Sequence, residues 1–289
     1  MTTRQSSLDS CALYGNTVTI MVDSNCSSLS LPDDGVDIRY TRSGFGDRVI
    51  VLLHGTASSL EHFDSLAPLL DPNWDVIRMD LPGFGCTGPR PDRDYRIRTY
   101  ARTVSRFLRE LNIPRHTILG NSLGGNIAFD MALDQPDRIE ALVLVNATGY
   151  PLKTLPKGMQ LARKPWARPI LRRWLPRSAV ERSLSDAVGP GSSIVDGAMI
   201  TRVHRMWSKP GNKGAFVDFV NTDQVDRTGQ LGSITSPTLV LTSGSMPQRF
   251  ASDIPGAVER IHPDGGHLLP EEQPDWVADA VAEFFHRPR

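Results

Sequence analysis

One segment constrains the fold and the chemistry of this chain more than any other. In His116-Thr-Ile-Leu-Gly-Asn-Ser122-Leu-Gly-Gly-Asn126, an apolar strand runs into Gly-Asn-Ser-Leu-Gly, and a helical pattern follows. Glycines two positions before and after Ser122 would allow a sharp turn that holds the serine hydroxyl above the edge of a sheet. The N–H groups that begin the following helix would then face a developing negative charge. The segment therefore predicts a nucleophile elbow.

Length and composition are compatible with such a fold. The chain has 289 residues, 39% of them hydrophobic, and 32 basic side chains balance 32 acidic ones. A chain of this size can bury one large core, and its zero net charge gives no indication of a nucleic-acid or membrane partner. The polar N-terminal segment does not look like a secretory signal, and no apolar run reaches the roughly eighteen residues of a transmembrane helix. We therefore expect a soluble cytoplasmic protein.

The cysteines do not point to a cofactor. Cys11, Cys26 and Cys86 cannot all pair within one chain, and their spacing fits no zinc or redox motif. We interpret them as reduced thiols in structural or surface positions. Because the sequence also contains no metal-ligand cluster and no phosphate-binding loop, we expect no cofactor.

Short apolar runs alternate with helical patterns along the chain. The runs are bounded by turn residues, as expected of strands buried on both faces of a sheet. Helical spacing occurs over 100–111 and again over 276–284. Such alternation predicts a mostly parallel sheet with helices on both faces. The predicted strands cover 36–40, 48–53, 75–81, 117–120, 141–145, 238–241 and 258–261.

Two further motifs follow predicted strands. One strand ends in His54-Gly-Thr56, where the Thr56 N–H could join that of Leu123 in binding an oxyanion. Near the C-terminus, a loop after the last predicted strand carries His267. Its place in the chain, after Ser122, suits a general base that takes the hydroxyl proton and later returns it to the leaving group.

Together and in this order, the motifs resemble the α/β-hydrolase superfamily over residues 36–285. The resemblance implies an eight-stranded, mostly parallel sheet and a helical lid inserted after the sixth strand. Residues 1–148 and 225–289 would form the core, and residues 149–224 the lid. The run Gly-Asn-Ser-Leu-Gly-Gly looks most similar to the branch that contains carbon–carbon bond hydrolases, esterases and lactonases.

The resemblance also implies a catalytic site, and one member of that site is atypical or missing. Ser122 and His267 would be the catalytic residues, with the N–H groups of Thr56 and Leu123 as the oxyanion hole. The family usually places an Asp after the seventh strand, and here Met246 falls near that position. Asp253, the only carboxylate nearby, directly precedes Ile-Pro-Gly at the entrance to the last strand, away from the site.

Some members place the acid after the sixth strand instead, and Asn146 occupies that position here. An amide oxygen can accept the imidazole N–H and orient the ring, but it brings no charge to stabilise the imidazolium. We therefore consider Asn146 as an orienting third member. A second interpretation is that Asn146 is an ordinary polar residue at a strand end.

Four other titratable residues near these motifs are not expected to act in catalysis. His54 should serve its own turn through packing and hydrogen bonding, and in the family Asp80 caps a turn. Asp264 and Glu271 flank His267 in sequence, and we expect both to face solvent.

The predicted lid carries a local excess of positive charge. Between Tyr150 and Arg182 there is one acid, Glu181, against nine basic residues: Lys153, Lys157, Arg163, Lys164, Arg168, Arg172, Arg173, Arg177 and Arg182. Trp166, Ile170 and Trp174 recur at four-residue steps among them, which is typical of a cationic amphipathic segment. The simplest interpretation is that this apolar face covers the pocket while the arginines are solvated. Two alternatives are attraction of an anionic substrate and transient contact with a lipid surface.

These observations predict a serine hydrolase that acts on a small molecule. Its substrate would contain an ester, lactone, thioester or acyl carbon–carbon bond, and it could be anionic or carried as a thioester. One alternative is an enzyme of secondary metabolism that uses the same pocket without hydrolysis, such as a cyclase, lyase or acyltransferase. The other is a small-molecule-binding protein that has lost turnover.

Overall fold

The structure, a computed structural model, describes residues 26–151, 155–246 and 248–286. Cys11 and Lys153 lie outside these residues. One sheet of eight strands forms within them: β1 Cys26–Leu31, β2 Val36–Ser43, β3 Arg48–Leu53, β4 Trp74–Met79, β5 His116–Asn121, β6 Ile139–Val145, β7 Thr238–Ser243 and β8 Val258–His262.

The sheet order is β1-β2-β4-β3-β5-β6-β7-β8. The pairs β1/β2 and β2/β4 are antiparallel, and every other neighbouring pair is parallel. The predicted eight-stranded, mostly parallel sheet is therefore confirmed. Each strand predicted from apolar runs is present, whereas β1 was not predicted, because Cys26-Ser-Ser-Leu-Ser-Leu31 is a half-exposed edge strand with few apolar residues.

Helices cover both faces of the sheet. They are α1 Ala67–Leu70, α2 Ile97–Glu110, α3 Leu123–Asp134, α4 Lys157–Arg163, α5 Arg168–Leu171, α6 Arg177–Ser185, α7 Gly197–Ser208, α8 Asn212–Asn221, α9 Phe250–Asp253, α10 Leu269–Glu272 and α11 Pro274–His286. Short 3₁₀ helices span Leu60–Phe63, Pro136–Arg138 and Thr228–Ser233. No helix in the described part of the chain is both long and apolar enough to cross a membrane.

Alternation along the strands divides the core into two layers. In β3, Val51 and Leu53 pack with α2 and α3, whereas Ile50 and Leu52 pack with α1 and α11. All four side chains are fully buried. This burial on both faces explains why the central strands are continuous apolar runs, and it leaves the carboxyl ends of the parallel strands free to carry polar groups.

Helices α4 to α8 lie between β6 and β7, where the resemblance implies an insertion. They pack around a small apolar cluster of their own, centred on Ala162, Phe216 and Val220. The guanidinium of Arg172 pairs with Asp218 on α8. We call α4 to α8 the helical insertion. Its action as a lid stays a prediction.

The apolar face predicted to cover the pocket points elsewhere. Trp166, Ile170 and Trp174 are 67%, 50% and 62% exposed. Ala162 and Ala167 are buried instead, on the side of this segment that packs inward. The prediction that the tryptophan-bearing face covers the pocket is therefore wrong, because Ala162 and Leu171, and not the tryptophans, pack against the residues of α8.

Candidate active site

Ser122 forms the whole turn between β5 and α3. Its backbone has φ 55° and ψ −114°, a conformation that L-residues rarely adopt and that costs of order 1–3 kcal/mol. The flanking glycines make the turn sterically possible. A Cβ at Gly120 would overlap the carbonyl of Gly124, and one at Gly124 would overlap the carbonyl oxygen of Leu53. The predicted sharp strand-to-helix turn is confirmed, and the reactivity of its serine stays a prediction.

The two N–H groups predicted to bind an oxyanion have no hydrogen-bond acceptor in the part of the chain that the structure describes. Neither Thr56 nor Leu123 donates its backbone N–H to another described residue. The loop that carries Thr56 passes close to the serine, since a Cβ on Gly55 would lie 3.1 Å from the Cβ of Ser122. At the start of α3 the Leu123 N–H also lies at the positive end of the helix dipole. The arrangement can stabilise a negative charge that develops beside Ser122.

His54 fixes the loop before Thr56 and is not available for acid–base chemistry. Its ring is fully buried. Geometry assigns Nδ1–H as a donor to the carbonyl of Gly55 (2.7 Å), while Nε2 accepts the N–H of Leu81 (3.0 Å). Burial lowers the pKa of His54 to about 4, so the ring is neutral at pH 7. The predicted structural role is confirmed.

Asp80 has a similar structural role one strand away. Its carboxylate accepts the backbone N–H groups of Leu60 (2.8 Å) and Cys86 (2.7 Å) and pairs with Arg39 (3.1 Å). Burial raises the pKa of Asp80 to about 6, against the opposing charge of Arg39. With both oxygens committed to these donors, the carboxylate caps the turn that ends at Cys86, as predicted, and also binds the backbone at Leu60.

Two buried asparagine amides fix the backbone at His267. Asn121 Nδ2 donates to the carbonyls of Val145 (3.1 Å) and His267 (3.1 Å). Asn146 Nδ2 donates to the carbonyl of Gly266 (2.9 Å). We call Asn121 and Asn146 the asparagine clamp. It joins the ends of β5 and β6 to the histidine loop and so places His267 beside the residue that precedes Ser122.

Sequence reasoning missed Asn121. An asparagine buried at the end of an apolar strand, immediately before the serine, was the signal that could have found it. The N–H donors of a buried amide need acceptors, and the carbonyls of Val145 and His267 accept them here.

The imidazole of His267 lacks a partner at one nitrogen. Its Nδ1 is buried and makes no hydrogen bond with any described residue. Burial, and after it the proximity of His62, lowers the pKa of His267 to about 4. The ring is therefore neutral at pH 7 and can accept a proton at its other nitrogen, but the described residues provide no carboxylate that stabilises the imidazolium.

Asn146 makes its hydrogen bonds with residues other than the imidazole of His267. Its Oδ1 accepts the backbone N–H (3.0 Å) and the hydroxyl (3.3 Å) of Ser243 at the end of β7, and its Nδ2 is engaged by Gly266. The residue also has φ 42°, which asparagine tolerates better than most residues. These contacts favour positioning of the histidine loop rather than direct orientation of the ring.

The other position at which an acid was considered also lacks one. Met246 closes a tight turn by donating its N–H to the carbonyl of Ser243 (2.9 Å). Asp253 lies at the end of α9, where it accepts the hydroxyl of Tyr150 (2.6 Å) and pairs with Arg249. That hydroxyl lowers the pKa of Asp253. Its partners agree with the expectation that Asp253 lies away from the site.

The prediction that Glu271 faces solvent is wrong. Its carboxylate pairs with Arg202 on α7 and lies 3.2 Å from Nδ1 of His62. Hydrogen bonds from His62 and the charge of Arg202 outweigh the effect of burial and lower the pKa of Glu271. The helical insertion is therefore anchored by an ion pair to the segment just after His267. Asp264 is exposed, as predicted.

A small cavity lies where the insertion meets the site. Ala57 and Phe84 line it from the core, and Trp207 and Phe216 line it from the insertion. Its volume is about 10 Å³, room for about one water molecule. The indole N–H of Trp207 also donates to the carbonyl of Ala57 (3.0 Å).

Comparison with known proteins defines the class of molecule to which this fold and site belong. Residues 48–274 match the model of the alpha/beta hydrolase fold family. The match spans most of the chain and includes the elbow, the Thr56 loop and His267. The chain therefore belongs to the alpha/beta hydrolase fold family and is an enzyme of that fold.

Individual relatives are also named as hydrolases. The chain is 31% identical over 265 residues to the 2-hydroxy-6-oxononadienedioate/2-hydroxy-6-oxononatrienedioate hydrolase of Cupriavidus pinatubonensis, covering 86% of this chain and 90% of the relative. It is 27% identical over 260 residues to the uncharacterized hydrolase YugF of Bacillus subtilis, covering 87% and 95%. Among solved structures, the epoxide hydrolase CorEH superposes with a TM-score of 0.78 at 21% identity, covering 90% and 98%. This last likeness concerns the fold alone.

Proposed function

We propose that this chain is a serine-dependent hydrolase of an ester, lactone, thioester or acyl carbon–carbon bond. The observation that carries the proposal is the conformation of Ser122, which is held at φ 55° at the start of α3, beside two N–H groups that donate to none of the described residues. A strained serine turn costs stability and persists only where the surrounding structure enforces it. Such strain is concentrated at functional sites.

The proposed reaction uses Ser122 as nucleophile and His267 as general base. His267 removes the hydroxyl proton as Ser122 Oγ attacks the acyl carbon, and the N–H groups of Thr56 and Leu123 stabilise the oxyanion. His267 then gives the proton to the leaving group, and an acyl-enzyme remains. A water molecule, deprotonated by His267, attacks that ester and releases the acid and free Ser122.

The unpartnered Nδ1 of His267 has a kinetic consequence. In serine hydrolases, loss of the acid's charge costs on the order of 10⁴ in rate, while the oxyanion hole and substrate binding still contribute about 10³–10⁴ over water. A histidine with a pKa of about 4 is always in the basic form at pH 7 but is a weak base. The proposed enzyme is therefore slow, or it acts on acyl groups that are already reactive.

The substrate class follows from the insertion and from the relatives. We propose that residues 149–224 act as a lid, because Trp207 and Phe216 close the cavity beside Ala57. The relative from Cupriavidus pinatubonensis is named for a dicarboxylate. An anionic substrate would be attracted by the positive field of the insertion.

A second candidate is a non-hydrolytic enzyme such as a cyclase, lyase or acyltransferase. The observation that favours it is the same unpartnered Nδ1 of His267. A histidine that acts as a simple acid–base group on a bound substrate forms no ion pair with a nucleophile and depends less on a third residue.

A fluorophosphonate probe separates the two candidates. We expect stoichiometric labelling of Ser122, detected by intact-protein and peptide mass spectrometry, and loss of labelling in Ser122→Ala and His267→Ala. The exposed Ser252→Ala is the matched control and should label as the wild type does. Absence of labelling in folded wild-type protein would rule out the hydrolase. Substantial turnover of a true substrate by Ser122→Ala would favour the non-hydrolytic enzyme.

A further inference from the structure

One side of the helical insertion exposes a row of large apolar side chains. Backbone hydrogen bonds from Leu171 to Ala167 (2.9 Å) and from Trp174 to Ile170 (2.8 Å) show that the chain makes helical turns through this segment. Residues four apart on such turns lie on one face. Trp166, Ile170 and Trp174 therefore share a face, here called the tryptophan face, and each is at least half exposed.

The opposite side of this segment is committed to packing. Ala167 is buried, and Leu171 contacts the cluster that contains Phe216 and Val220. Arg172 pairs with Asp218 on α8. The tryptophan face could rotate inward only with loss of these contacts, so its exposure follows from the packing of the segment.

Basic residues flank the tryptophan face, and the described carboxylates leave most of their charge without an ion-pair partner. Of the eight basic residues that the structure describes between 155 and 182, only Arg172 forms an ion pair with a carboxylate in the described part of the chain. Lys164 and Arg173 are exposed next to the tryptophans. Arg39, Arg90 and Arg227 in the core are each paired with two carboxylates.

We propose that the tryptophan face docks on an anionic phospholipid bilayer. Tryptophan has an apolar ring and a polar N–H, which favour the boundary between lipid headgroups and acyl chains. Lysine and arginine next to it are attracted by anionic headgroups. A bilayer deforms around separate protruding side chains and needs no matching pocket. A second copy of this chain would instead bring two unneutralised positive surfaces together, which charge repulsion disfavours.

The charge complementarity also selects the kind of lipid. A surface that bound through its tryptophans alone would accept neutral and anionic bilayers equally. Unpaired cations around the face add attraction only where the headgroups are negative, and this attraction is screened by salt. Binding should therefore depend on anionic lipid and should weaken as the ionic strength rises.

Vesicle co-sedimentation tests the proposal with the full chain. We expect binding to phosphatidylcholine vesicles that contain 30% phosphatidylserine, with a blue shift of tryptophan fluorescence, and at least tenfold weaker binding to pure phosphatidylcholine. Trp166→Ala/Trp174→Ala and Lys164→Glu/Arg173→Glu should each weaken binding at least tenfold. One matched control is Phe45→Ala, which removes an apolar side chain that is 95% exposed and lies outside the helical insertion. The other is Arg109→Glu/Arg115→Glu, which makes the same charge change at two exposed positions outside the insertion.

Each other outcome overturns the proposal. Equal binding to neutral and anionic vesicles would exclude recognition by charge, and no binding to either would exclude the bilayer. Absence of vesicle binding, with a dimer that becomes a monomer in Trp166→Ala/Trp174→Ala, would assign the face to self-association. Thermal unfolding checks that the variants remain folded, which their exposed positions lead us to expect.

Discussion

The candidate site has two sides. The elbow side contains Ser122 and the Thr56 loop, and the acid side contains Asn146, Met246 and the Nδ1 face of His267, where the family usually places a carboxylate. On the elbow side, Ser122, Gly124 and the Thr56 loop are set by backbone geometry, and every close approach has a steric reason. On the acid side, the backbone is also well ordered, because Asn146 joins Ser243 to Gly266. The described residues nevertheless provide no carboxylate of the kind that a family member usually supplies there, and none of them forms a hydrogen bond with His267 Nδ1. A site can therefore keep its scaffold while it lacks one charge.

Supplying the missing charge should produce the largest change. In Met246→Asp a carboxylate is introduced near the family's usual acid position, and we expect the rate of ester hydrolysis to rise tenfold or more, a part of the roughly 10⁴ that such a charge contributes. Met246→Asn is the matched control, with the same shape and no charge. Equal rates for the two variants would show that the missing carboxylate charge does not limit the rate of hydrolysis.

Placing the charge at Asn146 should have the opposite effect. In Asn146→Asp, one oxygen would face the carbonyl of Gly266, where Nδ2 now donates at 2.9 Å. Two buried acceptors in contact are unfavourable, and an unsatisfied buried group costs about 1–3 kcal/mol. We expect roughly tenfold slower acylation and a lower melting temperature. A faster enzyme would mean that Asn146 occupies the acid position.

A substitution on the elbow side should lower the free energy of unfolding without changing the charge of the site. Gly124→Ala introduces a Cβ that overlaps the Leu53 carbonyl oxygen, and such overpacking costs about 1–3 kcal/mol. Gly158→Ala, in a helix with open space around it, should be neutral or slightly stabilising. Urea denaturation measures both. Equal free energies of unfolding for Gly124→Ala and Gly158→Ala would show that the elbow can accommodate a Cβ at position 124.

The same division explains what could be predicted from sequence. The central strands were predictable because burial on both faces makes them apolar runs, and the elbow because its glycines are required sterically. The edge strand β1 was not, since Ser27, Ser28 and Ser30 give it no apolar run. These are local signals, and each can be seen within a few residues of sequence.

Features that depend on contacts distant in sequence could not be predicted. Glu271 faces inward because Arg202, far away in the chain, pairs with it. The tryptophan face lies outside because Ala162 and Leu171, elsewhere on the segment, pack against residues of α8. The links from Asn121 to the carbonyl of His267 and from Asn146 to that of Gly266 likewise arise only when the histidine loop returns to the sheet.

A pH profile that reports the titration of His267 needs a control for unfolding of the protein at low pH. Burial lowers the pKa of His54 and of His116, like that of His267, to about 4. The unfolded chain therefore binds more protons than the folded one between about pH 6.5 and pH 4. These groups make the fold less stable as the pH falls through that window. Circular dichroism at each pH separates unfolding from titration of the site.

The most direct test of a Ser122–His267 pair without a carboxylate is the pH profile of Ser122 labelling by a fluorophosphonate. With a pKa of about 4 for His267, the second-order rate constant should stay level from pH 8 to about pH 5 and fall by half near pH 4. In Met246→Asp the midpoint should move upward, because a nearby negative charge favours the imidazolium. A wild-type midpoint at 6.5 or above, in protein that is still folded, would contradict the account.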